Sequence, residues 1–235
     1  MTIQPRVCST KFERDGFELL PTLIEAWQVT VLLEAIGDIQ GQSGKAGMRN
    51  LLSRSAKVRS FAVCDSNLEL VRSVIGVSAK PVRAIYFDKT PTANWYVTWH
   101  QDLTIAVAEK IDTLDTSGWG PWSVKDGVIH VQPPAEVLRN MISLRFHLDN
   151  CAIENGAIKF IAGTHLFGVL NATEIAERRD LSEHSVCAAE LGDAIAMRPL
   201  ILHSSSASSS PEHRRVLHIE YAAGDLPSGL RWAEA

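Results

Sequence analysis

Four residues of this 235-residue chain have the types and spacing of a metal centre that works with an acidic co-substrate. His100 and Asp102 are separated by one residue, and His203 and Arg214 follow far along the chain. Two histidines and one carboxylate form the facial ligand set of non-haem Fe(II) oxygenases, which leaves iron positions open for co-substrate and oxygen. Arg214, eleven residues after His203, would supply a fixed cation for an acidic co-substrate. These residues predict an iron-dependent oxidative enzyme.

The spacing of His100 and Asp102 predicts that one strand end presents both side chains. Side chains alternate between the faces of a strand, so residues i and i+2 point the same way. His147 and Asp149 have the same spacing and lie nearer to His203, and spacing alone does not exclude them. We favour His100 because aromatic residues surround it in the sequence.

The composition is that of an ordinary soluble globular protein. Hydrophobic residues make up 46% of the chain, charged residues 21%, and the net charge is -4. Without a basic stripe to neutralise phosphates, a nucleic-acid partner is not expected. The N-terminus lacks a signal peptide and no apolar run approaches ~18 residues, so we expect a cytoplasmic protein without a membrane partner. The four cysteines form no C-x-x-C pair and are expected to be free thiols.

Apolar periodicity predicts a helical N-terminal part, residues 1–80, and a β-rich remainder within one domain, residues 1–235. One helix is predicted over Thr22–Ile36, closed by Gly37, and a second over Asn67–Ile75, ending at Gly76. Short β-like runs separated by turn residues indicate a sandwich or barrel. The predicted strands are Val82–Phe87, Trp95–Trp99, Met141–Leu148, Ala157–Ile161, Ala194–Met197, Leu200–His203 and Arg215–Tyr221.

Other common enzyme motifs are missing from the sequence. There is no G-x-S-x-G elbow to support a serine hydrolase. There is also no G-x-G-x-x-G or P-loop to support a nucleotide cofactor. The loops over Gly41–Gly47 and Thr113–Pro134 are expected to shape a substrate pocket.

Over roughly Val82 to Tyr221 the chain resembles the phytanoyl-CoA dioxygenase family of Fe(II)/2-oxoglutarate oxygenases, and within it a bacterial branch. His165 falls in the family's turn motif and not in its ligand set. The landmarks of the resemblance are Trp99-His100-Gln101-Asp102, Asn155-Gly156, Ala162-Gly163-Thr164-His165, Gly192-Asp193, His203 and Arg214.

The resemblance implies a mainly β fold, a double-stranded β-helix or jelly roll over residues 81–222, with the N-terminal helices packed on one sheet. It implies iron as the metal, held by His100, Asp102 and His203. Arg214 would bind the distal carboxylate of 2-oxoglutarate with help from Ser205. The resemblance further implies contacts of Arg145 with co-substrate or substrate, and a substrate pocket lined by Arg83, Asn94 and Trp99.

The implied activity is a hydroxylation of an unactivated C–H bond, with O2 as a co-substrate and release of succinate and CO2. The substrate would be a small molecule, and the arginines favour one that bears a carboxylate. The protein would be a monomer or a homodimer. The alternatives are a non-catalytic metal- or ligand-binding jelly roll, or a related desaturation, epoxidation or halogenation. Halogenation is disfavoured because Asp102 fills the iron position that a halide would need.

Overall fold

The computed structural model describes residues 10–40, 47–90, 93–111, 118–209 and 212–235. The helices in these ranges are α1 Thr10–Asp15, α2 Ala26–Gln40, α3 Leu51–Arg54, α4 Ala56–Ala62, α5 Asp65–Ile75, α6 Ala135–Arg139 and α7 Ala172–Leu181. The strands are β1 Phe17–Leu20, β2 Gly47–Met48, β3 Ala79–Lys89, β4 Val97–His100, β5 Ile105–Val107, β6 Trp122–Lys125, β7 Val128–Val131, β8 Met141–His147, β9 Ile158–Ile161, β10 Ser185–Cys187, β11 Ala194–Met197, β12 Leu202–Ser205 and β13 Arg214–Ala223.

Two antiparallel sheets face each other across the middle of the molecule. The larger sheet has six strands in the order β1-β11-β8-β13-β3-β2, and the smaller has four in the order β10-β9-β12-β4. Their facing sides share an apolar cluster in which Phe17 of the larger sheet stacks on Phe160 of the smaller, with ring centroids 4.2 Å apart. Apolar side chains thus fill one part of the space between the sheets, and many polar side chains line the cavity in another part.

The N-terminal helices cover the outer face of the larger sheet. Along β13, Leu217, Ile219 and Tyr221 share a buried apolar cluster with residues of α2 to α5. Phe61 of α4 meets Phe146 of β8 edge to face, with ring centroids 4.9 Å apart. The alternate residues of β13 point away from the helices and into the gap between the sheets.

The N-terminal part is not entirely helical, contrary to the sequence prediction. β1 lies within it and pairs with β11 at the edge of the larger sheet. The predicted helix over Thr22–Ile36 begins instead at Ala26, because Thr22 has a φ of 49° and its N–H donates to Asp193. That helix also continues past Gly37, which is exposed and has no neighbour to clash with.

The predicted helix at Asn67–Ile75 corresponds to α5, which starts two residues earlier and ends before Gly76 as expected. The strand at Ala194–Met197 has the predicted bounds, whereas the strand predicted at Leu200–His203 lies at Leu202–Ser205. Most of the predicted loop at Gly41–Gly47, residues 41–46, lies outside the described residues.

The predicted loop over Thr113–Pro134 contains the β6–β7 hairpin, which joins β5 in a three-stranded sheet. Its first residues, up to 117, are outside the described part. Across the described ranges, no helix is both long and apolar enough to cross a membrane.

Candidate metal centre

His100, Asp102 and His203 converge on one point between the two sheets. Each offers one ligand atom, and these three atoms lie within 4.8 Å of one another. The Asp102 carboxylate is 3.8 Å from His100 Nε2 and 3.7 Å from His203 Nε2. These distances are too long for hydrogen bonds and leave room for an ion between the groups. Among the described residues, no other three histidine, cysteine, aspartate or glutamate side chains lie close enough together to hold a metal.

Backbone pairing and two hydrogen bonds fix the orientation of both rings. His100 on β4 is directly opposite His203 on β12, so both side chains lie on the same face of the smaller sheet. The Nδ1 atoms lie 2.8 Å from Thr98 O and 2.9 Å from Ile201 O. Because a carbonyl can only accept, each Nδ1 carries the proton and each Nε2 presents its lone pair to the centre.

Asp102 lies two residues beyond the end of β4, where its N–H donates to Pro199 O over 2.9 Å. The sequence predicted that one strand end carries both His100 and Asp102, but β4 ends at His100. Burial alone would raise the pKa of the Asp102 carboxyl, but the His203 and His100 rings outweigh it and lower that pKa to about 2. Burial lowers the pKa of His203 to about 4, so this ring is neutral at pH 7 and can act as a ligand.

The alternative pair, His147 and Asp149, is not assembled into a metal site. Asp149 forms a two-point salt bridge with Arg215, with distances of 2.6 and 2.7 Å. His147 is buried at the end of β8, and neither ring nitrogen has a hydrogen-bond partner among the residues that the structure describes. His165 lies apart, with its Nε2 3.2 Å from Glu13 O beside the N-terminal segment. The sequence spacing of these residues did not reveal that Asp149 pairs with Arg215 or that His165 lies away from the centre.

The centre opens into a cavity of about 250 Å³ between the sheets, and one end of this cavity is strongly basic. Arg145 and Arg214 line it, and both are buried. The Nε atom of each lacks a hydrogen-bond partner, and neither guanidinium has a carboxylate within 4 Å in the described parts of the chain. Arg214 donates to Gly156 O over 2.7 Å, while the adjacent Arg215 points to Asp149. Two buried cations without an anion are a ready anion-binding site.

Lys89 adds a third cation at this end, and sequence reasoning missed it. It is fully buried opposite Arg214 in the β3–β13 pairing, and its amino group donates to Ser205 Oγ over 3.1 Å. Burial, together with the charges of Arg214 and Arg145, lowers the pKa of Lys89 to about 7. Little in the sequence indicated it, because β3 also contains the charged residues Lys80, Arg83 and Asp88. Ser205 also lines the cavity, as expected.

Polar residues crowd the other end of the cavity as well. Arg83 on β3 forms a buried ion pair with Glu220 on β13, and Glu220 is also 3.6 Å from His218 Nε2. Lys125 of β6 and Arg49, just after β2, reach the same cavity from outside the two main sheets. Arg83 was expected in the pocket, but the others were not. The two-residue alternation along the last strand could have indicated His218 and Glu220.

Asn94 and Trp99 do not line this cavity, contrary to expectation. Asn94 is exposed and its side-chain amide exchanges two hydrogen bonds with the backbone of Ser208, at 2.6 and 2.7 Å. Trp99 precedes His100 on β4, so alternation turns it to the opposite face, where it packs against His184 with ring centroids 4.7 Å apart. Trp95 does line the cavity.

Comparison with known proteins identifies a family and a fold. The family model described as phytanoyl-CoA dioxygenase (PhyH) matches residues 12–216. No curated protein matches the sequence significantly. Among solved structures, the α-ketoglutarate-dependent carbocyclase SnoK from nogalamycin biosynthesis has a TM-score of 0.70 at 12% identity, covering 96% of this chain and 85% of that chain.

Two further structures have the same fold. EctD from S. alaskensis, in its apoform, has a TM-score of 0.69 at 18% identity, covering 91% of this chain and 75% of that chain. AviO1 from Streptomyces viridochromogenes Tue57 has a TM-score of 0.65 at 20% identity, covering 93% of each chain. The predicted jelly roll with N-terminal helices on one sheet is confirmed.

Proposed function

The chain belongs to the phytanoyl-CoA dioxygenase family, and from this membership we propose that it is an Fe(II)- and 2-oxoglutarate-dependent oxygenase that hydroxylates an unactivated C–H bond of a small molecule. The observation that carries the proposal is the convergence of His100, Asp102 and His203 on one point of a cavity with a basic end. Two imidazoles and one carboxylate suit Fe(II) and leave coordination positions for other molecules.

The residues present fit both the metal and an acidic co-substrate. Each histidine donates a hydrogen bond from Nδ1 to a backbone carbonyl, so the lone pair of its Nε2 faces the centre and is available to a metal. The unpartnered Nε atoms of Arg145 and Arg214 would hold a carboxylate of 2-oxoglutarate, with the Ser205 hydroxyl and the Lys89 amino group beside them.

Iron bound here would supply oxygen activation, with 2-oxoglutarate as the two-electron donor. In the balanced reaction, 2-oxoglutarate, O2 and R–H yield succinate, CO2 and R–OH. The chain's own residues bind and orient the reactants. His100, Asp102 and His203 would fix the metal, while Arg214 and Arg145 neutralise the co-substrate. The apolar walls at Ile85, Phe87 and Ile158 restrict water at the reacting bond.

The decisive experiment is co-substrate turnover by the purified protein. With Fe(II), ascorbate and O2, we expect wild-type protein to convert 2-oxoglutarate to succinate even without a prime substrate, at a slow uncoupled rate. An Asp102→Ala variant serves as the control and should form succinate no faster than free iron. If wild-type protein also gives only the free-iron rate, and binds no 2-oxoglutarate in an anaerobic titration with Fe(II), the proposal is wrong.

Product analysis then tests the hydroxylation itself. With a substrate in hand, the proposal expects a mass gain of one oxygen atom that derives from O2, matched one to one with succinate. Loss of two hydrogens or rearrangement, matched with succinate, would keep the oxygenase assignment and replace hydroxylation by another oxidation. Metal binding without any 2-oxoglutarate turnover would instead support the non-catalytic binding module.

A further inference from the structure

Three basic side chains meet at the end of the cavity opposite Arg214. Arg83 lies on β3, Lys125 ends β6, and Arg49 follows β2, and all three line the cavity. We call Arg49, Arg83 and Lys125 the distal basic cluster. It is assembled from three elements that are far apart in the sequence, so the tertiary fold creates it.

The cluster contains more positive charge than its carboxylate partners neutralise. Arg83 pairs with Glu220, and Arg49 pairs with Asp126 at 3.0 Å. Lys125 has only a hydroxyl partner, Thr104 Oγ1, at 2.9 Å, and no carboxylate lies within 4 Å of it in the described part of the chain. Burial and then the charges of Arg83 and Arg49 lower the pKa of Lys125. The amino group therefore lacks a counter-ion in a position where its charge is costly.

A second observation indicates that a ligand completes this cluster. The Arg83 Nε is buried and has no hydrogen-bond partner in the described part of the chain, although Arg83 lines the cavity. An unpartnered buried donor costs on the order of 1–3 kcal/mol. An anion in the cavity would accept from this donor and neutralise Lys125 at the same time.

The co-substrate cannot occupy both basic ends of the cavity. Arg214 and Glu220, the partner of Arg83, are six residues apart on β13, which corresponds to about 20 Å of strand. The five-carbon chain of 2-oxoglutarate is much shorter. The metal ligands lie between the ends. Ser205, two residues after His203, accepts from Lys89 beside Arg214, whereas Thr104, two residues after Asp102, accepts from Lys125. An anion at the distal basic cluster is therefore a second molecule, on the other side of the metal ligands from Arg214.

We propose that the prime substrate is a small organic acid, a carboxylate or a phosphate monoester, whose anionic group binds the distal basic cluster while its carbon chain extends to the metal ligands. This inference rests on the proposed function. It assigns Arg49, Arg83 and Lys125 to substrate binding and predicts oxidation at a carbon other than the one that bears the acidic group, because the cluster residues line the same cavity but are distinct from the metal ligands.

Binding of defined probes tests the proposal without turnover. Hexanoate, hexyl phosphate and uncharged hexanamide are titrated by calorimetry into anaerobic Fe(II)-loaded protein, with the co-substrate site saturated by the unreactive analogue N-oxalylglycine. We expect saturable binding of at least one acid, at least tenfold tighter than hexanamide. The preferred acid distinguishes a carboxylate substrate from a phosphate ester. No saturable binding of either acid, or equal binding of all three probes, would overturn the proposal.

Matched variants locate the site. Lys125→Met and Arg49→Gln should each weaken binding of the preferred acid at least tenfold, because each removes a positive charge from the cluster. Both side chains are partly exposed, so we expect the variants to fold. The controls are Lys57→Met and Arg54→Gln, which make the same changes at exposed helical positions and should leave binding unchanged. Unchanged acid binding in both cluster variants would overturn the assignment.

The two proposals fail in distinguishable ways. If wild-type protein neither binds nor turns over 2-oxoglutarate with Fe(II), the oxygenase proposal fails first. If wild-type protein converts 2-oxoglutarate to succinate but shows no preference for acids over hexanamide, only the substrate inference fails. With an oxidised product available, its hydroxyl group should lie away from the acid-bearing carbon, and oxidation at the carbon next to the acid would contradict the placement.

Discussion

At the scale of single residues, the candidate centre depends on how two histidines are held. Each ring donates its Nδ1 proton to the carbonyl two residues earlier, Thr98 O or Ile201 O. This local hydrogen bond sets the tautomer and aims Nε2 at the metal position, so neither ring depends on a distant partner for its orientation. The backbone also separates Arg214 from Arg215 at the basic end of the cavity. These neighbouring arginines point to opposite faces of β13, Arg214 towards Gly156 O and Arg215 towards Asp149.

Replacing either ligand histidine should abolish metal binding. His100→Ala and His203→Ala each leave two ligands, and we expect Fe(II) affinity to fall by more than about 100-fold, since even loss of a residue that only orients a ligand costs 10–100-fold. Anaerobic Fe(II) titration measures the effect. His147→Ala is the control and should keep one iron per chain. Loss of iron in His147→Ala, with His100→Ala still loaded, would move the centre to the other histidine.

Replacing Arg214 should weaken binding of the co-substrate and leave binding of the metal unchanged. Arg214→Ala removes a buried charge-assisted contact, which costs about 2–5 kcal/mol, so KM for 2-oxoglutarate should rise at least tenfold while Fe(II) affinity stays the same. Arg215→Ala is the matched control, because Arg215 contacts Asp149 outside the cavity. A rise in KM for Arg215→Ala alone would mean that β13 presents its other face.

At the scale of elements, alternation along β13 organises the cavity. Arg214, His218 and Glu220 point between the sheets, while Leu217, Ile219 and Tyr221 face the helices. The turn before β9 supports this strand from the opposite sheet. Gly156 in that turn has a φ of 71°, and its carbonyl accepts from Arg214. A turn geometry that favours glycine is thus coupled to the position of an anion-binding side chain.

Two glycine substitutions separate stability from co-substrate binding. A Cβ at Gly156 would lie 2.6 Å from Ser206 O, and a Cβ at Gly192 would lie 2.6 Å from Ile24 O. Both Gly156→Ala and Gly192→Ala should lower stability by about 1–3 kcal/mol, seen as a lower Tm. Only Gly156→Ala should also raise KM for 2-oxoglutarate, because only Gly156 holds Arg214. Equal KM values for both variants would show that the turn does not position the arginine.

At the scale of the whole molecule, the sheets and helices have separate roles. The helices bury the outer face of the larger sheet, so its inner face can carry charged residues around a cavity. Arg145, Arg214 and Lys125 have no carboxylate partner within the described residues, so their charges, like the carboxylate of Asp102 between the rings, are costly unless a ligand neutralises them. Ligands that neutralise them bind the native state and not the unfolded chain, so metal and co-substrate should stabilise the fold.

This linkage predicts a ligand-dependent Tm. Fe(II) and 2-oxoglutarate at 100 times their Kd should each add about 2.7 kcal/mol, a rise of roughly 5–10 °C, under anaerobic conditions. A chelator should reverse the effect of the metal. Asp102→Ala is the control and should show a much smaller rise with Fe(II). The same rise in Asp102→Ala as in wild-type protein would place the stabilising iron elsewhere.

The sequence by itself identified the candidate ligands, the arginine that we propose to bind the co-substrate, and the class of fold. The spacing of His100 and Asp102, with His203 and Arg214 and the resemblance to the family, indicated the site, and the apolar pattern and turn residues indicated strands from Val82 onwards. It also identified the end of α5 at Gly76, because a glycine ends a helix through local backbone freedom. Local rules failed where a distant contact decided the outcome. Thr22 is held by Asp193, so α2 begins late.

Only the tertiary structure decided which residues share the cavity. It excluded Asn94 and Trp99, left His147 outside the one cluster of potential ligands found in the described ranges, and brought Lys89 beside Arg214 across two strands. It also assembled Arg49, Arg83 and Lys125 from three elements. The physical reason is that burial and charge pairing depend on neighbours far away in the sequence. A one-dimensional pattern specifies the face of a strand, but the packing of two sheets decides what that face meets.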